Sequence, residues 1–190
     1  MKKLLLLVIS LILVVGAFSS CARVESENEA IDIVVDLVGR SYSLNQAYYG
    51  DGLEPDMSSR YQGDYYYVSK NSAYQVRNDL LVETKAVFSK RMADDIIDIY
   101  FAGAENMGMA VFARYMVGET GYLAVNTVYE NPVKKVYKYD TSRLVITKIG
   151  RNEIKATIPA IVEEGEEPFE IEVVVTYSDE LGWRLDSPTY

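Results

Sequence analysis

The chain has 190 residues, of which 49% are hydrophobic, and its formal net charge at pH 7 is −9. It contains no histidine and one cysteine, which excludes Ser-His-Asp and Cys-His catalysis, histidine-based zinc sites and disulfide bonds within the chain. The acidic balance also disfavours binding to nucleic acid and to anionic lipid headgroups. We therefore expect no enzymatic activity, no metal and no cofactor, although a carboxylate-based enzyme would need neither histidine nor cysteine.

The beginning of the chain has the pattern of a bacterial lipoprotein signal. Two lysines precede an apolar run over residues 4–15, which is shorter than the roughly 20 residues that span a bilayer and is typical of a secretory signal peptide. The small residues Ser19 and Ser20 directly before Cys21 resemble a lipobox. That resemblance implies cleavage before Cys21 and diacylation of its thiol. The alternative is an ordinary secreted protein with an unmodified cysteine.

A lipid on Cys21 would attach the protein to the extracytoplasmic side of the bacterial cell membrane, because two acyl chains give firm anchoring. Removal of residues 1–20 leaves 170 residues with a formal net charge of −11, which is enough chain for one domain with a substantial core. We expect residues 21–28 to form the lipidated cysteine and a polar tether, and residues 29–190 to form a single domain.

Three helices are predicted in the first half of the domain. Ser26 and Glu29 match a capping box, and apolar residues at helical spacing predict a helix over about 28–49 that ends at Gly50. Asn78 or Asp79 is expected to cap the second helix. Its apolar side carries Leu80, Leu81, Thr84, Val87 and Phe88.

The third helix is predicted to begin at Ser89 and to end at Gly103. Met92, Ile96, Ile97 and Tyr100 would point inward, and Asp94, Asp95 and Asp98 would point to solvent. We interpret these three aspartates as a solvated helix face, the alternative being paired carboxylates or a metal site.

The segment 50–78 between the first two helices is predicted to be irregular and is rich in tyrosine. We single out Tyr61, Tyr65, Tyr66, Tyr67 and Tyr74 as candidate partner-binding residues. Tyrosine is favoured at recognition surfaces because it offers a rigid apolar ring and a hydroxyl group at low entropy cost. The alternative is that these rings pack a long loop onto the helices.

The hydrophobic pattern changes to a period of two after residue 110, which predicts strands. The predicted strands cover residues 111–117, 122–127, 144–149, 153–162, 169–178 and 182–185, with hairpin turns between them. This order predicts an α+β fold in which N-terminal helices pack on one face of a C-terminal antiparallel sheet. Trp183 on the last strand is expected to be largely buried against the helix that carries Ile96 and Ile97.

Two further acidic groups have ordinary explanations. Asp51, Glu54 and Asp56 could ligate calcium through carboxylate oxygens, but their spacing matches no EF-hand loop. Residues 163–167 form an acidic hairpin tip. Such a tip could contact a basic partner, and charged tips also protect sheet edges.

The second half of the chain is similar to the IseA-type DL-endopeptidase inhibitors and to related extracytoplasmic lipoproteins. The resembling stretches are DLLVETKAVFSKRMADDIIDIYF, GETGYLAVN, KYDTSRLVITKIGRNEIKATIP and the terminal GWRLDSPTY. The resemblance implies a non-enzymatic α+β protein of cystatin-like outline that blocks the Cys-His cleft of a cell-wall peptidase. No inhibitory residues are carried over, because no short motif of that kind is present.

The sequence therefore predicts a lipid-anchored extracytoplasmic binding module that inhibits or regulates a cell-wall peptidase or contacts another envelope protein. The alternatives are a small-ligand carrier or sensor, with a pocket between helices and sheet, and a histidine-free carboxylate enzyme. A ligand carrier would show a cavity with a few convergent polar groups, and an inhibitor would show a protruding loop. An enzyme would show two facing carboxylates with shifted pKa values.

Overall fold

Three helices and two main antiparallel sheets form the protein. The computed structural model describes residues 23–102, 104–106, 109–111, 113–118, 120–130, 136–162 and 167–190. The helices are α1 (Glu27–Tyr48), α2 (Arg77–Val87) and α3 (Lys90–Ala102). The strands are β1 (Pro55–Gln62), β2 (Tyr65–Val68), β3 (Ala104–Asn106), β4 (Met109–Val111), β5 (Tyr115–Val117), β6 (Leu123–Asn126), β7 (Lys138–Tyr139), β8 (Val145–Ile149), β9 (Glu153–Ile161), β10 (Phe169–Ser178) and β11 (Gly182–Leu185).

Helix α1 begins one residue before the predicted start and ends one residue before the predicted end. The Ser26 hydroxyl accepts a hydrogen bond from the Glu29 backbone N–H at 3.2 Å, as the capping box predicts. The Glu29 carboxylate, however, accepts from the Glu25 N–H at 2.7 Å. The Glu29 carboxylate therefore satisfies the backbone N–H of Glu25 and not the Ser26 N–H that a capping box predicts. The buried side of the helix carries Ala30, Val34, Leu37, Val38, Ser41, Leu44, Asn45, Ala47 and Tyr48.

Helix α2 begins at Arg77, ahead of the predicted caps Asn78 and Asp79, and its N-cap Val76 makes no side-chain capping bond. Val76 instead forms a β-bridge with Tyr122, and this pairing fixes where the helix can start. Helix α3 begins after Ser89 as predicted, with the Met92 N–H donating to the Ser89 hydroxyl at 3.4 Å. The predicted end at Gly103 lies outside the described residues.

A four-stranded antiparallel sheet has the order β1-β2-β6-β5. Its first two strands form a hairpin over 55–68, so the prediction that residues 50–78 are irregular was wrong. Gly63 permits the turn with a φ of 56°. No residue of β1 is fully buried, and this edge strand consequently shows no clear alternation in the sequence.

A five-stranded antiparallel sheet contains β11-β10-β9-β7, with β8 also paired to β9. The predicted strands from 144 to 185 are all present here. The predicted strand 111–117 is instead divided between β4 and β5, which belong to different sheets. The single expected meander is therefore split between the five-stranded sheet, the four-stranded sheet and the β3–β4 hairpin.

The core lies between the helices and one face of the five-stranded sheet. Alternate residues of its central strands are buried, namely Ile154, Ala156, Ile158 and Ala160 on β9 and Val173 and Val175 on β10. Helix α1 packs against β8 and β11, and the Ser89 N–H donates to the Leu185 carbonyl at 2.7 Å. The α+β fold with N-terminal helices on one face of a C-terminal antiparallel sheet is thus confirmed.

The C-terminal residues are held by α1. The Asn45 amide donates to the backbone carbonyl and the hydroxyl of Thr189, at 2.7 and 2.9 Å. The Tyr190 ring stacks on Tyr49 with centroids 3.5 Å apart. Trp183 is mostly buried and packs against the hydrophobic core, edge-on to Tyr177 with ring centroids 5.2 Å apart. Its expected contact with the helix that carries Ile96 and Ile97 stays a prediction. The terminal residues thus contribute to packing.

Candidate functional site

Three of the five candidate tyrosines share one face of the four-stranded sheet. Tyr65 pairs with Asn126, and Tyr67 and Met116 both pair with Ala124, so their side chains project to the same side. The Tyr61 ring lies 5.4 Å from the Tyr67 ring. We call Tyr61, Tyr65, Tyr67 and Met116 the tyrosine face.

Within the tyrosine face, Tyr65 has a structural role. Its side chain is 6% exposed, and its hydroxyl donates to the Ala113 carbonyl at 2.5 Å. Burial raises the pKa of the Tyr65 hydroxyl above its ordinary value. This residue therefore ties β2 to the chain just before β5 and offers little surface to a partner.

Tyr61 and Tyr67 are half-buried and present ring surface to solvent. Tyr67 lies so close to Gly118 that a Cβ on that glycine would sit 2.7 Å from the tyrosine hydroxyl oxygen. A larger residue at position 118 would therefore displace the ring. The two rings lie on neighbouring strands of the β1–β2 hairpin and contact each other.

The remaining two candidates lie elsewhere. Tyr66 is on the opposite face, because it lies between Tyr65 and Tyr67 on the same strand and pairs with Val125. Its ring centroid lies 5.9 Å from the Arg60 guanidinium carbon. Tyr74 packs against the hydrophobic core. Burial, followed by the charge of Glu83, raises the Tyr74 hydroxyl pKa. The structure therefore does not join all five tyrosines into one surface.

The end of α1 fixes the position of the four-stranded sheet. Arg114 is 4% exposed and donates to the carbonyls of Tyr48 and Gly50 at 2.7 and 2.8 Å. A cation is favourable at this position because the helix dipole places partial negative charge at the C-terminus. The guanidinium also lies 5.3 Å from the Tyr129 ring centroid.

Tyr115 makes a second link between β5 and α1. Its hydroxyl donates to the Ala47 carbonyl at 2.5 Å and accepts from the Leu53 N–H at 3.2 Å. Burial raises the pKa of this hydroxyl to about 12. The neutral phenol therefore persists at every physiological pH and can keep donating to the helix end.

A cavity that the sequence did not reveal lies between α1 and β7. It has a volume of about 470 Å³ and is lined by Val38, Gly39, Tyr42, Lys138, Tyr139 and Thr141. The Tyr139 hydroxyl is buried and has no hydrogen-bond partner among the described residues. A second cavity of about 390 Å³ also borders Lys138 and Tyr139 of β7 and is lined in addition by Arg143. Tyr137 forms an aromatic cluster with Tyr139 and Phe169.

The acidic candidates do not converge on one another. Asp94 is half-buried and pairs with Lys90 at 2.6 Å, while Asp95 and Asp98 are exposed, as predicted. The Asp56 carboxylate accepts from the Ser58 N–H and hydroxyl, and these bonds lower its pKa. In the described part of the chain, no three acidic or cysteine side chains are grouped as metal ligands would be. Of the acidic hairpin, residues 163–166 lie outside the described residues.

The residues after Cys21 differ from the polar tether that we expected. Val24 is 3% exposed and belongs to the hydrophobic core. The Arg23 guanidinium lies 3.9 Å from the Tyr177 ring centroid and pairs with Asp179 at 2.8 Å. Residues 23 and 24 are therefore attached to the domain ahead of α1. We call this contact of Arg23 and Val24 the N-terminal dock. Cys21 itself lies outside the described residues.

Comparisons of the chain with protein-family models and with curated protein sequences found no match. Among the described helices, none is both long and apolar enough to cross a membrane. The features of the chain that bear on function are the N-terminal motif, the tyrosine face and the α1–β7 cavity.

Proposed function

We propose that this chain is a lipid-anchored extracytoplasmic binding module that contacts a protein of the bacterial envelope. The anchor is supported by the signal pattern of residues 1–20 and by the small residues before Cys21. The protein surface would not replace a lost anchor, because its acidic balance repels anionic headgroups. Cys21→Ser should therefore move the protein from the washed membrane fraction to the soluble fraction. Retention of this variant in membranes after its signal peptide has been removed would contradict the anchor.

The observation that carries the binding function is the pair Tyr61 and Tyr67 on a rigid sheet. Both rings are half-buried. Pairing with Ala124 holds Tyr67 in the sheet, and the Tyr61 ring packs against the Tyr67 ring with centroids 5.4 Å apart. Preorganised aromatic rings lose little entropy on binding, and tyrosine is enriched among residues that dominate interface energies. The tyrosine face therefore suits a protein partner with an apolar surface.

The partner class follows from the resemblance to cell-wall peptidase inhibitors. A non-enzymatic protein held outside the cytoplasmic membrane would meet such peptidases in the cell wall. The mature chain with Cys21→Ser serves as bait for envelope extracts, and the captured protein is then assayed for peptidase activity with and without the bait. Inhibition at stoichiometric concentrations is the expected result, and capture of a protein that has no peptidase activity would contradict this class.

Tyr61→Ala combined with Tyr67→Ala tests whether the tyrosine face makes the contact. Hot-spot tyrosines cost about 2 kcal/mol each, so a loss of up to about a thousandfold in affinity is expected if the two effects add. Tyr66→Ala is the matched control, because Tyr66 is a half-buried tyrosine of the same strand as Tyr67 whose side chain lies on the opposite face of the sheet. Unchanged affinity of the double variant, with a lowered melting temperature, would assign both rings to packing.

A small-ligand carrier or sensor is the second candidate, and the α1–β7 cavity favours it. The Tyr139 hydroxyl, which has no hydrogen-bond partner in the described part of the chain, and the Lys138 ammonium could hold a polar group. Val38 and Tyr42 offer apolar surface. A Cβ at Gly39 meets no atom within 4 Å, so Gly39→Leu should fill the cavity without disturbing the helix. Native mass spectrometry of protein purified from envelopes should show a bound small molecule that Gly39→Leu removes. A mass in the unchanged protein that equals that of the protein alone, with no bound small molecule, would contradict this candidate.

A further inference from the structure

The N-terminal dock leaves almost no chain between the predicted lipid and the folded domain. Only Ala22 separates Cys21 from Arg23. Two residue steps span at most about 7 Å. Because Arg23 and Val24 are held by the domain, a lipid on Cys21 would bring this end of the molecule to the membrane surface.

The end of the molecule at the dock consists of two neighbouring β-turns. Arg23 contacts Tyr177 and Asp179, where β10 leads into β11. The Tyr177 N–H donates to the Asn152 carbonyl at 2.9 Å, which places the β8–β9 turn beside it. Ile149 and Arg151 near that turn are exposed. We call these two turns together with Arg23 the dock end.

Both candidate sites lie away from the dock end. Helix α1 has 22 residues and is therefore about 33 Å long. Its last carbonyls contact Arg114 and Tyr115 of the four-stranded sheet, which carries the tyrosine face. The α1–β7 cavity borders Val38 and Tyr42, in the second half of the helix.

We propose that the anchored protein has one fixed orientation, with the dock end against the lipid headgroups and α1 directed away from the membrane. This inference rests on the proposed lipid at Cys21. In this orientation the four-stranded sheet stands about a helix length above the bilayer, facing the cell wall. The Arg23–Asp179 ion pair also neutralises one acidic charge at the surface that would face the headgroups. A partner in the cell wall would reach the tyrosine face without displacing lipid.

Energy transfer from tryptophan to the membrane surface tests this orientation. Trp183 is the single tryptophan of the chain, and it contacts Tyr177 at the dock end. The full lipidated protein is purified from membranes and placed in phosphatidylcholine vesicles that contain a dansyl-labelled phosphatidylethanolamine. A second protein carries Trp183→Phe and Tyr122→Trp, which moves the reporter to an exposed position on the four-stranded sheet.

Transfer from Trp183 should exceed transfer from tryptophan at position 122 severalfold, because transfer efficiency falls steeply with distance. Arg23→Ala breaks the stacking on Tyr177 and the ion pair, and should reduce transfer from Trp183. A flexible Gly-Ser linker inserted after Ala22 should have the same effect without changing the dock itself. Arg143→Ala is the matched control, because it removes an equal charge from an exposed residue beside β7.

Vesicle flotation separates the two ways in which this inference can fail. Protein that does not float with the vesicles has no anchor, which overturns the proposed function and the orientation together. Protein that floats but gives equal transfer from the two tryptophan positions is anchored without a fixed orientation. Floating protein in which the linker leaves transfer unchanged would likewise overturn the role of the N-terminal dock. Thermal melting of each variant confirms that it remains folded.

Discussion

Replacing Arg114 should strongly destabilise the protein, because this side chain joins α1 to the four-stranded sheet. Its guanidinium is buried and donates to two carbonyls at the end of the helix, those of Tyr48 and Gly50. Hydrogen bonds to a charged group each contribute about 1.5–3 kcal/mol. Adding the two hydrogen-bond contributions overstates the net stabilisation, because burying the Arg114 cation costs desolvation energy. The Nε of Arg114 also has no hydrogen-bond partner among the described residues.

We therefore expect Arg114→Ala to lower the free energy of unfolding by about 3 kcal/mol, the lower end of the sum for two charge-assisted bonds. Arg114→Lys should cost less, because an ammonium group keeps the charge near the helix end but lacks the planar fork that reaches both carbonyls. Arg143→Ala is the control, since this exposed arginine should change stability by less than about 0.5 kcal/mol.

Urea unfolding followed by circular dichroism and by Trp183 fluorescence measures these differences. With a slope of about 2 kcal/mol per molar urea, Arg114→Ala should lower the unfolding midpoint by about 1.5 M. The slope itself should stay the same in all variants. A change in unfolding free energy below about 0.5 kcal/mol for Arg114→Ala would refute the reasoning, because it would show that desolvation cancels both hydrogen bonds.

Three further predictions concern α1 and the residues that contact its C-terminal end. Gly52→Ala should destabilise the protein by about 1–3 kcal/mol, because Gly52 has a φ of 90° and a Cβ there would lie 2.4 Å from Arg114 Nη2. Gly39→Ala, in the open middle of α1, should instead stabilise it by about 0.5–1 kcal/mol, and thermal melting of both variants checks the opposite signs. Burial raises the Tyr115 pKa to about 12. The neutral Tyr115 hydroxyl therefore stabilises the fold fully below the ordinary tyrosine pKa of about 10, and this stabilisation is lost as pH rises towards 12. Alkaline titration followed by tyrosine absorbance should therefore show a weaker late transition in Tyr115→Phe, and an unchanged profile would contradict the assignment.

The parts of the fold that the sequence predicted well are those that bury one face. Helix α1 and strands β9 and β10 have a strong periodicity, because every third or fourth residue, or every second one, faces the core. The edge strand β1 buries no residue completely and so leaves no periodic signal. The start of α2 was misplaced because the Val76–Tyr122 bridge, a tertiary contact, determined it in place of a capping side chain.

The candidate site was predictable only in composition. The sequence shows that tyrosines are concentrated after residue 60. Which face of the sheet each tyrosine lies on depends on the strand pairing, which brings Tyr65 beside Asn126 and Tyr66 beside Val125. The α1–β7 cavity could not be found from the sequence, because residues far apart in the chain line it. Val38 comes from the first helix and Tyr139 from a strand of only two residues. Arg23 and Val24 look like a polar tether in the sequence, since only the fold provides Tyr177 and Asp179 as their partners.

The mass of the N-terminal tryptic peptide tests the lipid anchor, on which the proposed function and orientation both depend. Trypsin cleaves after Arg23, so the mature protein purified from bacterial membranes should yield the tripeptide Cys21-Ala22-Arg23. We predict that this peptide carries a diacylglyceryl group on the Cys21 thiol and that no peptide from residues 1–20 remains attached. A peptide that contains an unmodified Cys21, or one that continues into the leader, would contradict the account.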